Sequence, residues 1–117
     1  MTNVQIFGIK NSQATRAAER FFKERRAPLQ FVDLKRKPMA YGEIKRFLDR
    51  YTLRGLLDEQ GKAYADAGLR YLKLNEQELL SKIERTPDLL RLPLVRAGNK
   101  LSIGLDEEAW KAMLTRG

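Results

Sequence analysis

The 117-residue chain contains no cysteine and no histidine. Those two absences remove disulfides, thiolate nucleophiles, imidazole bases and the usual zinc ligands at once. Carboxylates remain, but general acid and base work needs two of them held in one pocket, and no spacing singles out such a pair. The residues therefore give no positive catalytic signal and no metal-ligand set. No apolar stretch approaches the roughly 20 residues a membrane helix needs. Residues 1–8 lack the basic start and long apolar segment of a secretory leader, so the expected location is cytoplasmic.

What is present describes a soluble globular protein, with 43% hydrophobic and 32% charged residues. The length suits one domain spanning residues 1–117, enough for a single ordinary core. The net charge is +8 and unevenly spread: residues 1–50 hold 12 Lys and Arg against 5 Asp and Glu, the remainder 11 against 10. A basic N-terminal half favours an acidic partner, whether an anionic ligand, an acidic protein face or nucleic acid. The alternative is a solvated helix face that serves solubility.

Residues 4–7 form a short apolar run closed by Gly8 and a polar loop through Ser12, the pattern of a strand leading into a helix. Ala14, Ala17, Ala18, Phe21 and Phe22 recur on one face of that helix, with Arg16, Arg20, Lys23 and Glu24 opposite. Pro28 closes the connection and residues 29–34 supply a second strand, which predicts a right-handed βαβ unit. After Pro38, Ile44, Phe47, Leu48 and Tyr51 predict a second helix, and residues 63–67 a short one stopped by Gly68. Asn75 with Glu78 three residues on predicts a capping box for a helix that turns Leu79, Leu80 and Ile83 inward and is limited by Pro87. Leu94 and Val95, a Gly98-Asn99 turn, then Leu101 and Ile103 predict an antiparallel hairpin ended by Gly104. Asp106 caps a final helix whose Ala109, Trp110, Met113 and Leu114 face the core. The order βαβ, helical middle, ββα predicts an α/β fold: a small mixed four-stranded sheet with helices on both faces, the thioredoxin-like layout.

The segment Ile6-Phe7-Gly8-Ile9-Lys10-Asn11-Ser12-Gln13-Ala14-Thr15-Arg16-Ala17-Ala18 resembles the active-site opening of the family that holds arsenate reductase (ArsC), YffB-type proteins and the Spx regulators. Further matches are Leu56-Leu57, Tyr64, Gly68-Leu69, the run Pro87-Asp88-Leu89-Leu90-Arg91-Leu92-Pro93-Leu94-Val95, and Gly104 before the closing helix. In that family a cysteine stands at the position of Ser12, where a helix N-terminus stabilises a thiolate or an incoming oxyanion. A serine hydroxyl needs an adjacent base to attack, and no histidine exists to serve. The expected role of Ser12 is a plain N-cap. The family arginine before the proline matching Pro93 is here Leu92, with Arg91 one residue too early. A second arginine of arsenate reductases has Asp58 as its nearest counterpart, and the paired-cysteine switch of Spx proteins maps onto Ser12 and Thr15. The resemblance also implies a cis Leu92–Pro93 bond beside the site.

These departures imply a cysteine-less member with no catalytic residue, whose role is that of a binding or regulatory module. Its expected anion or ligand contacts are Lys10, Asn11, Ser12, Thr15, Arg16, Arg20, Arg91 and Pro93. By the resemblance to Spx, the partner would be the alpha subunit of RNA polymerase. The alternative is a glutathione-linked, arsenate reductase-like oxidoreductase or transferase in which Ser12 orients an external thiol, glutathione then being the one cofactor. Nucleic-acid binding rests on charge alone, since neither an aromatic stacking platform nor a reading helix is evident.

Overall fold

A computed structural model describes residues 3–115. In chain order its elements are β1 (Val4–Gly8), α1 (Gln13–Glu24), β2 (Leu29–Asp33), α2 (Tyr41–Leu56), α3 (Lys62–Asp66), α4 (Glu76–Arg85), β3 (Leu94–Ala97), β4 (Lys100–Ile103) and α5 (Glu107–Leu114). The chain divides into two compact units, one of Met1–Asp33 with Leu92–Gly117, the other of Leu34–Arg91.

The first unit holds the whole sheet, in the order β2-β1-β3-β4. Strands β1 and β2 are parallel, Val4 opposite Leu29 and Gly8 opposite Asp33. The other two pairings are antiparallel, with Phe7 opposite Leu94 and Leu94 opposite Ile103. Alternation along the strands sends Val4, Ile6, Val95 and Ala97 to one face. There they join Ala18, Phe21 and Phe22 of α1 and Trp110 and Met113 of α5 in one buried cluster. The Trp110 ring lies 5.5 Å from that of Phe21 and 6.2 Å from that of Phe22, both tilted. Tilted aromatic contacts of this kind add about 0.5–1.5 kcal/mol each beyond the area they bury.

Helix α1 ends as the chain reverses into β2. The Ala27 amide donates to the Phe22 carbonyl and the Arg26 amide to that of Lys23, each at 3.0 Å. This is a Schellman closure, with Arg26 at φ 56° in the place glycine usually takes. The β3–β4 hairpin turns through Gly98, at φ 64°, and Asn99, as its sequence predicts. Strand β2 stops at Asp33, one residue short of the expected span, and Leu34 falls in the second unit.

In the second unit, α2 is interrupted at Thr52, whose φ 66° and ψ 161° are not helical. The Thr52 hydroxyl then accepts from the Gly55 amide at 3.3 Å, restarting the last turn as a local cap. Helix α3 begins one residue before the predicted 63–67 span, and Gly68, at φ 66°, leads from it into a single 3₁₀ turn, Leu69–Tyr71. Helix α4 carries the expected capping box: Asn75 Oδ1 accepts from the Glu78 amide at 2.8 Å, and Glu78 Oε1 accepts from the Asn75 amide at 3.1 Å. A second 3₁₀ turn, Pro87–Leu89, follows. The chain beyond it pairs with the chain leaving α2, the Arg91 amide donating to the Leu56 carbonyl and the Asp58 amide to the Leu89 carbonyl, both at 2.8 Å. Among the described residues no helix is long and apolar enough to cross a membrane.

Candidate functional site

Because β1 and β3 run antiparallel with Phe7 opposite Leu94, the loop leaving β1 and the chain entering β3 emerge at the same end of the sheet. That loop, residues 9–12, carries Ser12; the chain entering β3 carries Pro93 behind a cis Leu92–Pro93 peptide bond, as the sequence leads one to expect. The Pro93 carbonyl accepts from the Gly104 amide at 3.0 Å, which fastens this corner to the end of β4.

Ser12 caps α1. Its backbone is extended, its Oγ accepts from the Thr15 amide at 3.2 Å, and its carbonyl accepts from the Arg16 amide at 3.0 Å. The hydroxyl has the Thr15 amide as its hydrogen-bond partner, and among the described residues no lysine or carboxylate is bonded to it. The hydroxyl thus acts as an acceptor that organises the first turn, whereas an activated nucleophile needs a base bonded to it. The first turn of α1 contains no acidic side chain. The positive end of the helix dipole is thus left without an internal counter-charge, a setting that suits an anion.

The expected contact residues separate by burial. Lys10, Asn11, Arg16 and Arg20 are exposed and Ser12 is half-buried, whereas Thr15 and Pro93 are buried. Arg16 and Arg20, four residues apart, share one side of α1, and neither forms an ion pair among the described residues. Thr15 is fully enclosed, and among the described residues its Oγ1 has no hydrogen-bond partner. A Cβ built on Gly8 would stand 2.5 Å from that oxygen and 2.6 Å from the Thr15 methyl, so Gly8 is what lets α1 begin so close to the end of β1. The reachable rim is therefore Lys10, Asn11, Ser12, Arg16 and Arg20.

Leu92 fills the position of the family arginine with a buried apolar side chain. Arg91 belongs to the second unit, where its Nε donates to the Leu57 carbonyl at 3.3 Å. Thr15, an expected ligand contact, is instead enclosed; a hydroxyl residue does not register in sequence as part of an apolar face. Its three- and seven-residue spacing to Ala18 and Phe22, both buried, was the available signal.

Comparison with known proteins places these features. The global transcriptional regulator Spx 2 of Oceanobacillus iheyensis is 27% identical over 116 residues, which cover 97% of this chain and 84% of that protein. The global transcriptional regulator Spx of Streptococcus mutans is 23% identical over the same coverage. Among solved structures, an arsenate reductase from Vibrio cholerae superposes with a TM-score of 0.79 at 16% identity, over 97% of this chain and 98% of that one. The shared architecture is the thioredoxin-like fold. A model of the ArsC family matches residues 7–113. The chain belongs to the ArsC family and is a member without cysteine.

Proposed function

We propose that residues 1–117 form one domain that serves as a non-catalytic binding and regulatory module, engaging a protein partner through the N-terminus of α1 and the cations beside it. One observation carries this reading: the side chain at the family's thiol position is a serine whose hydroxyl is committed to capping α1, in a chain with no cysteine or histidine. Without a readily ionised sulfur, the chain has no thiolate with which to carry the family's thiol chemistry. The remaining rim is cationic, and Arg16 and Arg20 lie open to an acidic surface. Two relatives carry the name of global transcriptional regulators, which supports a regulatory role. In keeping with the resemblance to Spx, the partner is the alpha subunit of RNA polymerase.

Titration calorimetry with the purified alpha subunit tests this. Binding should survive Ser12→Ala and fail in an Arg16→Glu/Arg20→Glu double variant. Binding indifferent to the two reversed charges would refute the assignment of this surface. A second reading keeps chemistry at the site, with Ser12 orienting an external thiol; the Pro93 corner, which the β1–β3 pairing brings to the same end of the sheet as the Ser12 loop, favours it. A ligand held by the native state must raise its stability. A rise in Tm with glutathione that Ser12→Ala abolishes, together with arsenate turnover, would establish this second reading in place of the first.

A further inference from the structure

The second unit carries an open groove unrelated to Ser12. The start of α2 contributes Tyr41 and Ile44, α4 contributes Leu80 and Ile83, and Leu34 and Leu90 complete the apolar lining. The groove is shallow and open on one side, and about 570 Å³ of space lies over its lining when the adjoining solvent is counted. Tyr41 is 62% exposed, which is unusual for a large ring bordering an apolar cleft. Glu84 is the one carboxylate in the lining.

The rim is basic by construction. Leu34 and Pro38 both line the groove, and the chain between them is Lys35-Arg36-Lys37. Lys35 is held by Asp88 at 2.9 Å. Arg36 and Lys37 are exposed, and neither forms an ion pair among the described residues. Two cations without an ion pair among the described residues therefore lie on the exposed segment that joins two lining residues of the apolar cleft.

We propose that this groove docks an acidic amphipathic peptide segment of a partner protein, its apolar side chains seated between α2 and α4 and its carboxylates facing Arg36 and Lys37. Three observations select that occupant. A small molecule is normally oriented by several convergent polar groups, and this lining offers only the Tyr41 hydroxyl and Glu84. A second copy of the chain would bring its own +8 charge against a basic rim. An amphipathic segment supplies both missing complements, apolar anchors spaced along one face and negative charge at the flank. The inference uses none of the residues at α1 and stands independently of the proposed role of Ser12, Arg16 and Arg20.

A displayed library of random peptides about four helical turns long, selected against the full chain, tests it. Enriched peptides should combine apolar residues three and four apart with Asp or Glu, and their affinity should fall as salt rises. Binding should drop about tenfold or more in Tyr41→Ala and in Arg36→Glu/Lys37→Glu, the size expected for losing an interface anchor. Both changes are at exposed positions, and each variant is checked for an unchanged circular dichroism spectrum. The Arg16→Glu/Arg20→Glu variant should bind these peptides normally. Lack of enrichment, enrichment of basic or uncharged peptides, or peptides indifferent to the groove variants would overturn the proposal. Peptides lost only in the Arg16/Arg20 variant would also overturn it while supporting the α1 surface. Displacement of the peptides by phosphatidylserine vesicles would assign the groove to a lipid surface instead.

Discussion

Thr52 adopts φ 66° and ψ 161°, a region in which a β-branched side chain collides with its own backbone and which glycine alone enters readily. Such a conformation costs about 1–3 kcal/mol, against which glycine would lose about 0.5–1 kcal/mol of chain entropy and a few tenths from the weaker cap. Thr52→Gly is expected to stabilise the protein by about 1 kcal/mol, seen as a higher urea midpoint with an unchanged slope. Gly8 presents the opposite case. A methyl there would meet the enclosed Thr15 side chain at 2.5–2.6 Å, and Thr15 has no room to withdraw. Gly8→Ala should destabilise by about 2–3 kcal/mol, at the upper end of overpacking penalties. Adding Thr15→Ala should recover much of the loss, because it removes both the collision and a buried hydroxyl without a partner. Failure of the double variant to recover would show that the contact between β1 and α1 is not what requires glycine.

At the scale of elements, the caps carry much of the definition. Ser12, Asn75 and Asp106 each accept an amide hydrogen bond from the residue three positions on, at 3.2, 2.8 and 3.1 Å. Only Asn75 has the reciprocal bond from its third residue, Glu78. Asn75→Ala should therefore cost about 1 kcal/mol, and Glu78→Ala less, when measured by chemical denaturation. Caps of this sort are legible in sequence because donor and acceptor lie within four residues. The break in α2 is not legible in that way. Tyr51-Thr52-Leu53 contains neither glycine nor proline, and the conformation at Thr52 follows from where the chain must go next. The same holds for Thr15, whose polarity points outward in a sequence reading while its place beneath Gly8 encloses it.

At the scale of the whole molecule, the two compact units pose a sharp question about cooperativity. The sheet unit is discontinuous in sequence, with residues 34–91 set between β2 and the cis Leu92–Pro93 bond. Trp110 is the chain's single tryptophan and is fully buried in the sheet unit, while all four tyrosines, 41, 51, 64 and 71, belong to the other unit. The two units therefore carry separate optical reporters. A chain that folds as one domain should give coincident urea transitions by tryptophan fluorescence, tyrosine absorbance and far-ultraviolet circular dichroism. Two separated midpoints would mean that residues 34–91 unfold on their own and that one cooperative domain is the wrong description.

The chain's sequence alone settled which elements form and in what order, because helical periodicity, caps and turn residues act over a few positions. It also settled what chemistry is missing, because no fold can supply a thiol or an imidazole that the chain does not encode. Tertiary structure decided which side chains are reachable. It brought the loop of Ser12 and the corner of Pro93 to one end of the sheet through the β1–β3 pairing, and it enclosed Thr15. It also tied Arg91 to Leu57 and opened a groove between α2 and α4 beside Arg36 and Lys37. Apart from the Gly8–Thr15 contact, those outcomes depend on contacts between residues tens of positions apart, whose registration is set by burial of the shared core and by no local signal.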